Sequence, residues 1–244
     1  MIVTEIHQRL HQLANPDKAA ILQRFFKTDP GQYGEGDIFL GINAPVLKAL
    51  VKKYKNISVA EAEELLHSDI HEQRALALQF WARLYAQKIP DNKELIYQRY
   101  LANTEWINNW DLVDVTASHI VGNHLLHRDR KILYRLAKSG SLWDRRISII
   151  ATHHFIRNHD FADTLKIAAM LINDDEDLMH KAVGWMLREV GNRELPPLEE
   201  FLEKHYQQMP RTMLRYAIEK FPEAKRKAWL NRKWKLSVKV LWKS

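Results

Sequence analysis

The chain has 244 residues, 46% hydrophobic and 27% charged, with a formal net charge of +7 and no cysteine. Its apolar and aromatic content excludes disorder. The absence of Cys excludes a disulfide scaffold, a cysteine-ligated zinc site and a thiol nucleophile, and no apolar run approaches the roughly 18 residues of a membrane span.

In chain order, nearly every segment reads as helix, and the expected spans are 3–13, 16–27, 44–55, 59–67, 71–87, 92–103, 109–126, 129–139, 142–158, 161–173, 176–192, 197–207, 210–220 and 222–231. Asn15-Pro16-Asp17 is a start signal, with Asn as N-cap and Pro at the first helical position. Ser58-Val-Ala-Glu61 and Ser141-Leu-Trp-Asp144 have the pattern of capping boxes, the second with Asp in place of Glu. Apolar residues recur at three- and four-residue spacing from Leu76 to Leu84, Leu112 to Val121, Ile147 to Phe155 and Met179 to Val190. Between the second and third helices, Thr28 to Gly41 holds four of the eight glycines and Pro30, which predicts an ordered loop. Glycine is otherwise scarce, at about half its usual share of roughly 7%.

The helices come in pairs. The second members begin near His71, Asn109, Leu142, Leu178 and Pro210, at intervals of 32 to 38 residues, and Arg74, Arg146, Lys181 and Arg215 stand near the start of four of them. A period of this length in helical pairs marks a HEAT-like array. The expected fold is all-α: a right-handed α-solenoid of antiparallel helix pairs with a concave binding face, one domain over residues 1–230 followed by a basic tail at 231–244. Eight of the 37 Lys and Arg, but one acid, Glu223, lie in 221–244, which leaves 29 of each sign in residues 1–220. A neutral body binds DNA only if its charges sort by face. The tail, where Lys225-Arg-Lys227 and Arg232-Lys-Trp-Lys235 interleave with Trp229, Trp234 and Trp242, could anchor a DNA flank, lie on a membrane or simply be solvated. The opening Met1 to Leu10 carries Glu5, His7 and Arg9 and does not read as a secretory signal, so a cytoplasmic, nucleoid-associated protein is expected.

Three segments could carry chemistry. In Trp106-Ile-Asn-Asn-Trp110-Asp-Leu-Val-Asp114, Trp110 and Asp114 are four apart and share a helix face. Asp111 and Trp106 also fit structural roles, the acid favouring the helix N-terminus and the indole packing inside. Asp114, flanked by Val113 and Val115, gains less from the dipole, and beside an exposed indole it makes an anionic, π-rich patch that suits a cation. In Leu142-Trp-Asp-Arg145-Arg146-Ile147, one arginine can answer a carboxylate such as Asp144 and the other a phosphate, unless both are simply solvated. In Lys181-Ala-Val-Gly184-Trp185-Met-Leu-Arg188-Glu189, Lys181, Trp185 and Arg188 fall on one face, a pattern for gripping a nucleic-acid backbone, although a core Trp is also open. Gly184 lets something approach closely, a neighbouring helix or a ligand. No HExxH, GxSxG or P-loop is present, so neither a metal nor a nucleotide cofactor is expected.

These residues, with Asn15-Pro-Asp-Lys18 and Phe39-Leu-Gly-Ile-Asn-Ala-Pro45, resemble the DNA alkylation repair glycosylases of the AlkD type through most of residues 15–220. The resemblance implies excision of N3- and N7-alkylated purines, such as 3-methyladenine and 7-methylguanine, from double-stranded DNA, by hydrolysis, without base flipping and as a monomer. It implies a catalytic set of Asp114, Trp110 and Trp185 with Arg146 on the DNA backbone; further DNA contacts are expected from Arg145, Lys181, Arg188, Asn43 and Phe25. Phe25 replaces a tyrosine of the family's second helix, so a hydroxyl contact is lost there, and the stretch Tyr33-Gly-Glu-Gly-Asp37 is longer than in the best-known members. Two other classes stay open: a DNA-binding solenoid without catalysis, which holds duplex or branched DNA, and a protein-interaction scaffold.

Overall fold

The computed structural model describes residues 2–87 and 89–231. Beyond Asn231 the basic tail, with Trp234 and Trp242, lies outside the described residues. The described chain is helical throughout, and an isolated parallel bridge between Ile38 and Ile70 is the extent of its β structure. It gathers into two compact units, divided between His124 and Leu125.

The first unit contains α1 (Ile2–Gln12), α2 (Pro16–Phe25), α3 (Ala44–Lys53), α4 (Val59–Leu66), α5 (His71–Ala86), α6 (Pro90–Ala102) and α7 (Trp110–Asp114). Its centre is α5, which packs against α3, α4, α6 and α7. Leu76, Leu78, Phe80 and Trp81 are fully buried, and they point in different directions around the helix. A helix buried around most of its girth needs apolar residues around most of it, and α5 leaves a half-buried stripe at Ala75, Gln79 and Ala82. The start signals act as read. Asn15 accepts from the Lys18 amide ahead of Pro16, and Ser58 and Glu61 form a reciprocal capping box. The loop between α2 and α3 is ordered, because the buried Glu72 carboxylate accepts the amides of Leu40, Gly41 and Ile42 at 2.8–3.1 Å. Gly41 has φ +81°, and a Cβ there would collide with the backbone of Asn15 and Ala19.

The helix expected over 109–126 is interrupted. After α7 the chain passes Thr116, whose hydroxyl bonds back to the Leu112 carbonyl at 2.5 Å, and then a π-helical turn, Ser118–Gly122, before α8 (Asn123–Leu125). A hydroxyl returned to the preceding turn competes with the regular ladder and bends it. The span 142–158 is likewise divided at Thr152, whose hydroxyl bonds the Ile149 carbonyl at 2.6 Å.

The second unit contains α9 (Lys131–Leu136), α10 (Leu142–Ala151), α11 (His153–Arg157), α12 (Ala162–Met170), α13 (Asp177–Arg193), α14 (Leu195–His205), α15 (Arg211–Ala217) and α16 (Glu223–Leu230). Here α13 is central and packs on α10, α11, α12, α14 and α15. The five second members expected from the repeat correspond to α5, α7, α10, α13 and α15. Ser141 caps α10 through the Asp144 amide, yet the Asp144 carboxylate takes the Ser139 hydroxyl at 2.8 Å, so the box is not reciprocal. Trp229 does not belong with an exposed basic tail. It is fully buried beside Tyr206, and Lys225 pairs with Glu199, so α16 closes the core of this unit.

Gly184 serves the neighbouring helix. A Cβ there would stand 2.5 Å from the Met213 carbonyl oxygen and from Tyr216 Cβ, both on α15. Ala is the better helix former by about 1 kcal/mol, but overpacking against backbone costs roughly 1–3 kcal/mol or more. Gly184→Ala is therefore expected to lower the unfolding free energy by about 1–2 kcal/mol, read from urea titration by circular dichroism.

Candidate DNA-repair site

In the first unit, α7 carries the acid and indole pair. Asn109 is fully buried and sets the helix start: its side-chain oxygen accepts the Trp110 amide at 2.9 Å, and its Nδ2 donates to Asp37 at 3.1 Å. Trp110 is half-buried. One face stacks on Phe26, with centroids 5.2 Å apart and planes 20° from parallel, and its side meets Phe25 edge-on at 6.0 Å. Asp114 ends the helix, half-exposed, beside Val115, which is 53% exposed. Burial, then the charge of Asp114, holds the Tyr100 hydroxyl well above the usual tyrosine range.

Phe25 is 60% exposed, and with Phe26, Phe39, Leu78, Asp111 and Val115 it borders a largely apolar groove of about 770 Å³. Asn43 also borders the groove. It is exposed, and its side-chain oxygen caps α3 by accepting the Val46 amide. The phenyl ring of Phe25 thus borders both the groove and the edge of Trp110.

Behind α7 lies a buried charge cluster that sequence reasoning missed. His71 opens α5 and is 3% exposed. Its Nδ1 donates to Asp37 at 3.0 Å and its Nε2 to Asp111 at 2.9 Å. Arg74 pairs with the other Asp37 oxygen. Asp111 is therefore the partner of a buried cation, more than the dipole-favoured acid its position suggests. Burial pushes the His71 pKa down, but the hydrogen bonds and charges of Asp111 and Asp37 outweigh it and raise the pKa to about 9. Burial also pushes Asp37 up, and His71, Arg74 and Asn109 overcome that and hold it below the usual aspartate range. A stack runs from His71 through Phe39 (4.4 Å) and Phe26 (5.0 Å) to Trp110. The available signal was the run His71-Glu-Gln-Arg74, polar residues opening a helix that is otherwise mostly apolar.

In the second unit, Lys181, Trp185 and Arg188 lie along α13, all part-exposed. Trp185 donates from Nε1 to Glu189 at 3.2 Å, and its ring lies 5.9 Å from that of His153. Lys181 pairs with Asp177 at 2.7 Å, and Arg188 pairs with Glu219. On α10, Arg145 is not matched by Asp144 but by the buried Asp174, through Nε at 2.6 Å and Nη2 at 3.3 Å. Arg146 is not the solvated cation its position suggests. It is 4% exposed and donates from Nη1 to the Leu178 carbonyl at 2.6 Å, tying α10 to the start of α13.

Helix packed on helix, with no strand among the described residues, defines an all-α protein. The family model described as DNA alkylation repair enzyme matches residues 6–221. The chain belongs to that family, and membership points it to the repair of alkylated DNA. Among solved structures, a predicted DNA alkylation repair enzyme from Enterococcus faecalis shares the fold, with a TM-score of 0.66 at 17% identity over 86% of this chain and 97% of its own. No curated protein matches.

The cluster gives stability a pH dependence. His71 has a raised folded pKa, so its contribution is complete below its ordinary value of 6.5 and is lost as pH rises through about 9. Asp37 has a lowered folded pKa, so its contribution holds above its ordinary 3.8 and is lost as pH falls below it. The unfolding free energy is expected to fall by up to about 3 kcal/mol between neutral pH and about pH 10, read from urea titrations across that range.

Proposed function

We propose that the protein is a DNA glycosylase that hydrolyses the N-glycosidic bond of cationic N3- and N7-alkylated purines in double-stranded DNA, as a cytoplasmic monomer. The observation that carries this reading is the half-exposed indole and half-exposed carboxylate together on α7, Trp110 and Asp114, with the indole already seated on Phe26.

The chemistry follows from the charge on the lesion. Alkylation at N3 or N7 makes the purine cationic, so its C1′–N9 bond breaks with the electron pair leaving on N9 and the base departing neutral. The positive charge passes to the deoxyribose as an oxocarbenium ion. Water then adds to C1′ and gives up one proton. Asp114 stabilises the oxocarbenium ion electrostatically and orients the water, accepting its proton. Trp110 holds the cationic nucleotide against its π-face, worth about 0.5–2 kcal/mol, and Trp185 on α13 offers an indole face of the same kind. Arg146 meets the phosphate. Its guanidinium is fixed beforehand by the Leu178 carbonyl, so contact costs little further rotamer entropy. Lys181 and Arg188 exchange an exposed protein carboxylate for a phosphate, Arg145 approaches the backbone while keeping Asp174, and Asn43 and Phe25 flank the strand. The bond is already weak and the catalyst acts on the charge that develops at the sugar, so the base need not be extruded into a pocket, and bulky adducts are tolerated.

Single-turnover release of 7-methylguanine from a methylated duplex tests this. Asp114→Asn keeps the shape and removes the charge, and is expected to slow release tenfold or more, which is at least about 1.4 kcal/mol of transition-state stabilisation. Release no faster than spontaneous depurination in the wild type, with duplex binding intact, would make the protein a DNA binder without catalysis. Lys181→Ala and Arg188→Ala are each expected to lower the slope of log affinity against log salt by about one, measured by fluorescence anisotropy. An unchanged slope would remove α13 from the interface.

A further inference from the structure

We propose that His71 is the positioning residue of this site: by donating to Asp37 and Asp111 at once, it pins α7, and with it Trp110 and Asp114, to the loop between α2 and α3. This rests on the reading of α7 given above.

The two carboxylates depend on His71 unequally. Asp37 also accepts from Arg74 and from Asn109. Asp111 Oδ2 accepts from His71, and its Oδ1 is buried with no hydrogen-bond partner. The hold on Asp111 therefore passes through the His71 proton. A neutral imidazole has one N–H. It can donate to one carboxylate and must turn a lone pair to the other. The charged groups around the ring decide which one gives way: Asp37 on the loop, Arg74 and Glu72 on α5, and Asp111 on α7. Asp37 keeps Arg74 and Asn109, and Glu72 is saturated by the loop amides. Asp111, whose side chain is 28% exposed, is left as a half-buried charge without its one donor, and its turn toward the groove moves the first turn of α7. Trp110 precedes it and Asp114 follows within one turn, so both shift. The π-stack adds a second link, because the same imidazolium lies on Phe39, then Phe26, then Trp110. Deprotonation weakens the attraction at the base of that stack.

The test separates positioning from folding. Single-turnover base release and duplex affinity are measured between about pH 6 and pH 10 in wild type, His71→Gln and Asp111→Asn, and the His71 imidazole is titrated by NMR. Glutamine can reach one carboxylate, not both. Release by His71→Gln is expected to fall tenfold or more, with affinity within about threefold of wild type. The alkaline limb of wild-type release should coincide with the NMR titration. In Asp111→Asn it should move to lower pH, because one of the two charges that hold the proton is gone. A structural role alone would lower the amplitude and leave the limb in place. Amide exchange at Val113 and Thr116 in the free protein gives a readout without catalysis. The protection factor, corrected for the base-catalysed rise of intrinsic exchange, should fall at least tenfold in Asp111→Asn at neutral pH, and in wild type above the titration. An unmoved limb or unchanged exchange overturns the proposal. If the wild type releases no base, the glycosylase reading fails, and exchange in the wild type across the titration still decides whether His71 pins α7.

Discussion

Asp37 is a charge removed from water, and the first unit is arranged around that constraint. An isolated carboxylate in such a place is unstable, and it persists only when opposite charge and hydrogen-bond donors surround it. Arg74, His71 and Asn109 supply them from the starts of two different helices. Satisfying one buried acid thus fixes the glycine-rich loop, the N-terminus of α5 and the N-terminus of α7 to a common point. Glu72 repeats the device one residue on, taking three loop amides. The loop that the glycines make possible is therefore held by side chains of α5 rather than by packing of its own.

The second unit depends on close approach instead. Gly184 lets α13 meet α15 at a distance no other residue permits, and Arg146 and Arg145 bind α10 to the segment that leads into α13. Cations that read as free at the start of α10 are consumed within the unit. Those on α13 hold exposed or half-exposed carboxylates, and such pairs are weak in water. They are the ones that can exchange a carboxylate for a phosphate.

Helix starts were legible because their signals are local. Asn15-Pro16 and the Ser58 to Glu61 box each occupy a few residues, and each is where it was read. Breaks were not legible. Thr116 and Thr152 lie in apolar runs whose periodicity continues past them, and whether a threonine bonds back to its own helix depends on what packs around it. The cluster at His71 was illegible for a different reason. Its partners are 34 and 40 residues away, and nothing local distinguishes a histidine between two carboxylates from a histidine at a helix start. Trp110 and Asp114 were visible as a pair because they are four apart. That the indole is a seated rather than a loose ring depends on Phe26, which no spacing rule connects to it.

Seating matters to selectivity. An indole held on one face by Phe26 can offer only its other face, and it loses little freedom when a ring or cation arrives. A carboxylate one turn away is attracted to the same positive charge, by about 1–4 kcal/mol at 4 Å between bulk water and a protein surface. A neutral purine can still stack, but it gains neither the cation–π attraction nor the Coulomb attraction of the carboxylate. On the proposed reading, discrimination then rests on charge rather than on shape, and it coincides with the property that weakens the bond. The same positive charge makes the base a good leaving group, draws it to the indole and appears on the sugar beside Asp114 as the bond breaks. A site of this kind needs rigid placement more than enclosure, and rigid placement of α7 is what the buried cluster behind it supplies.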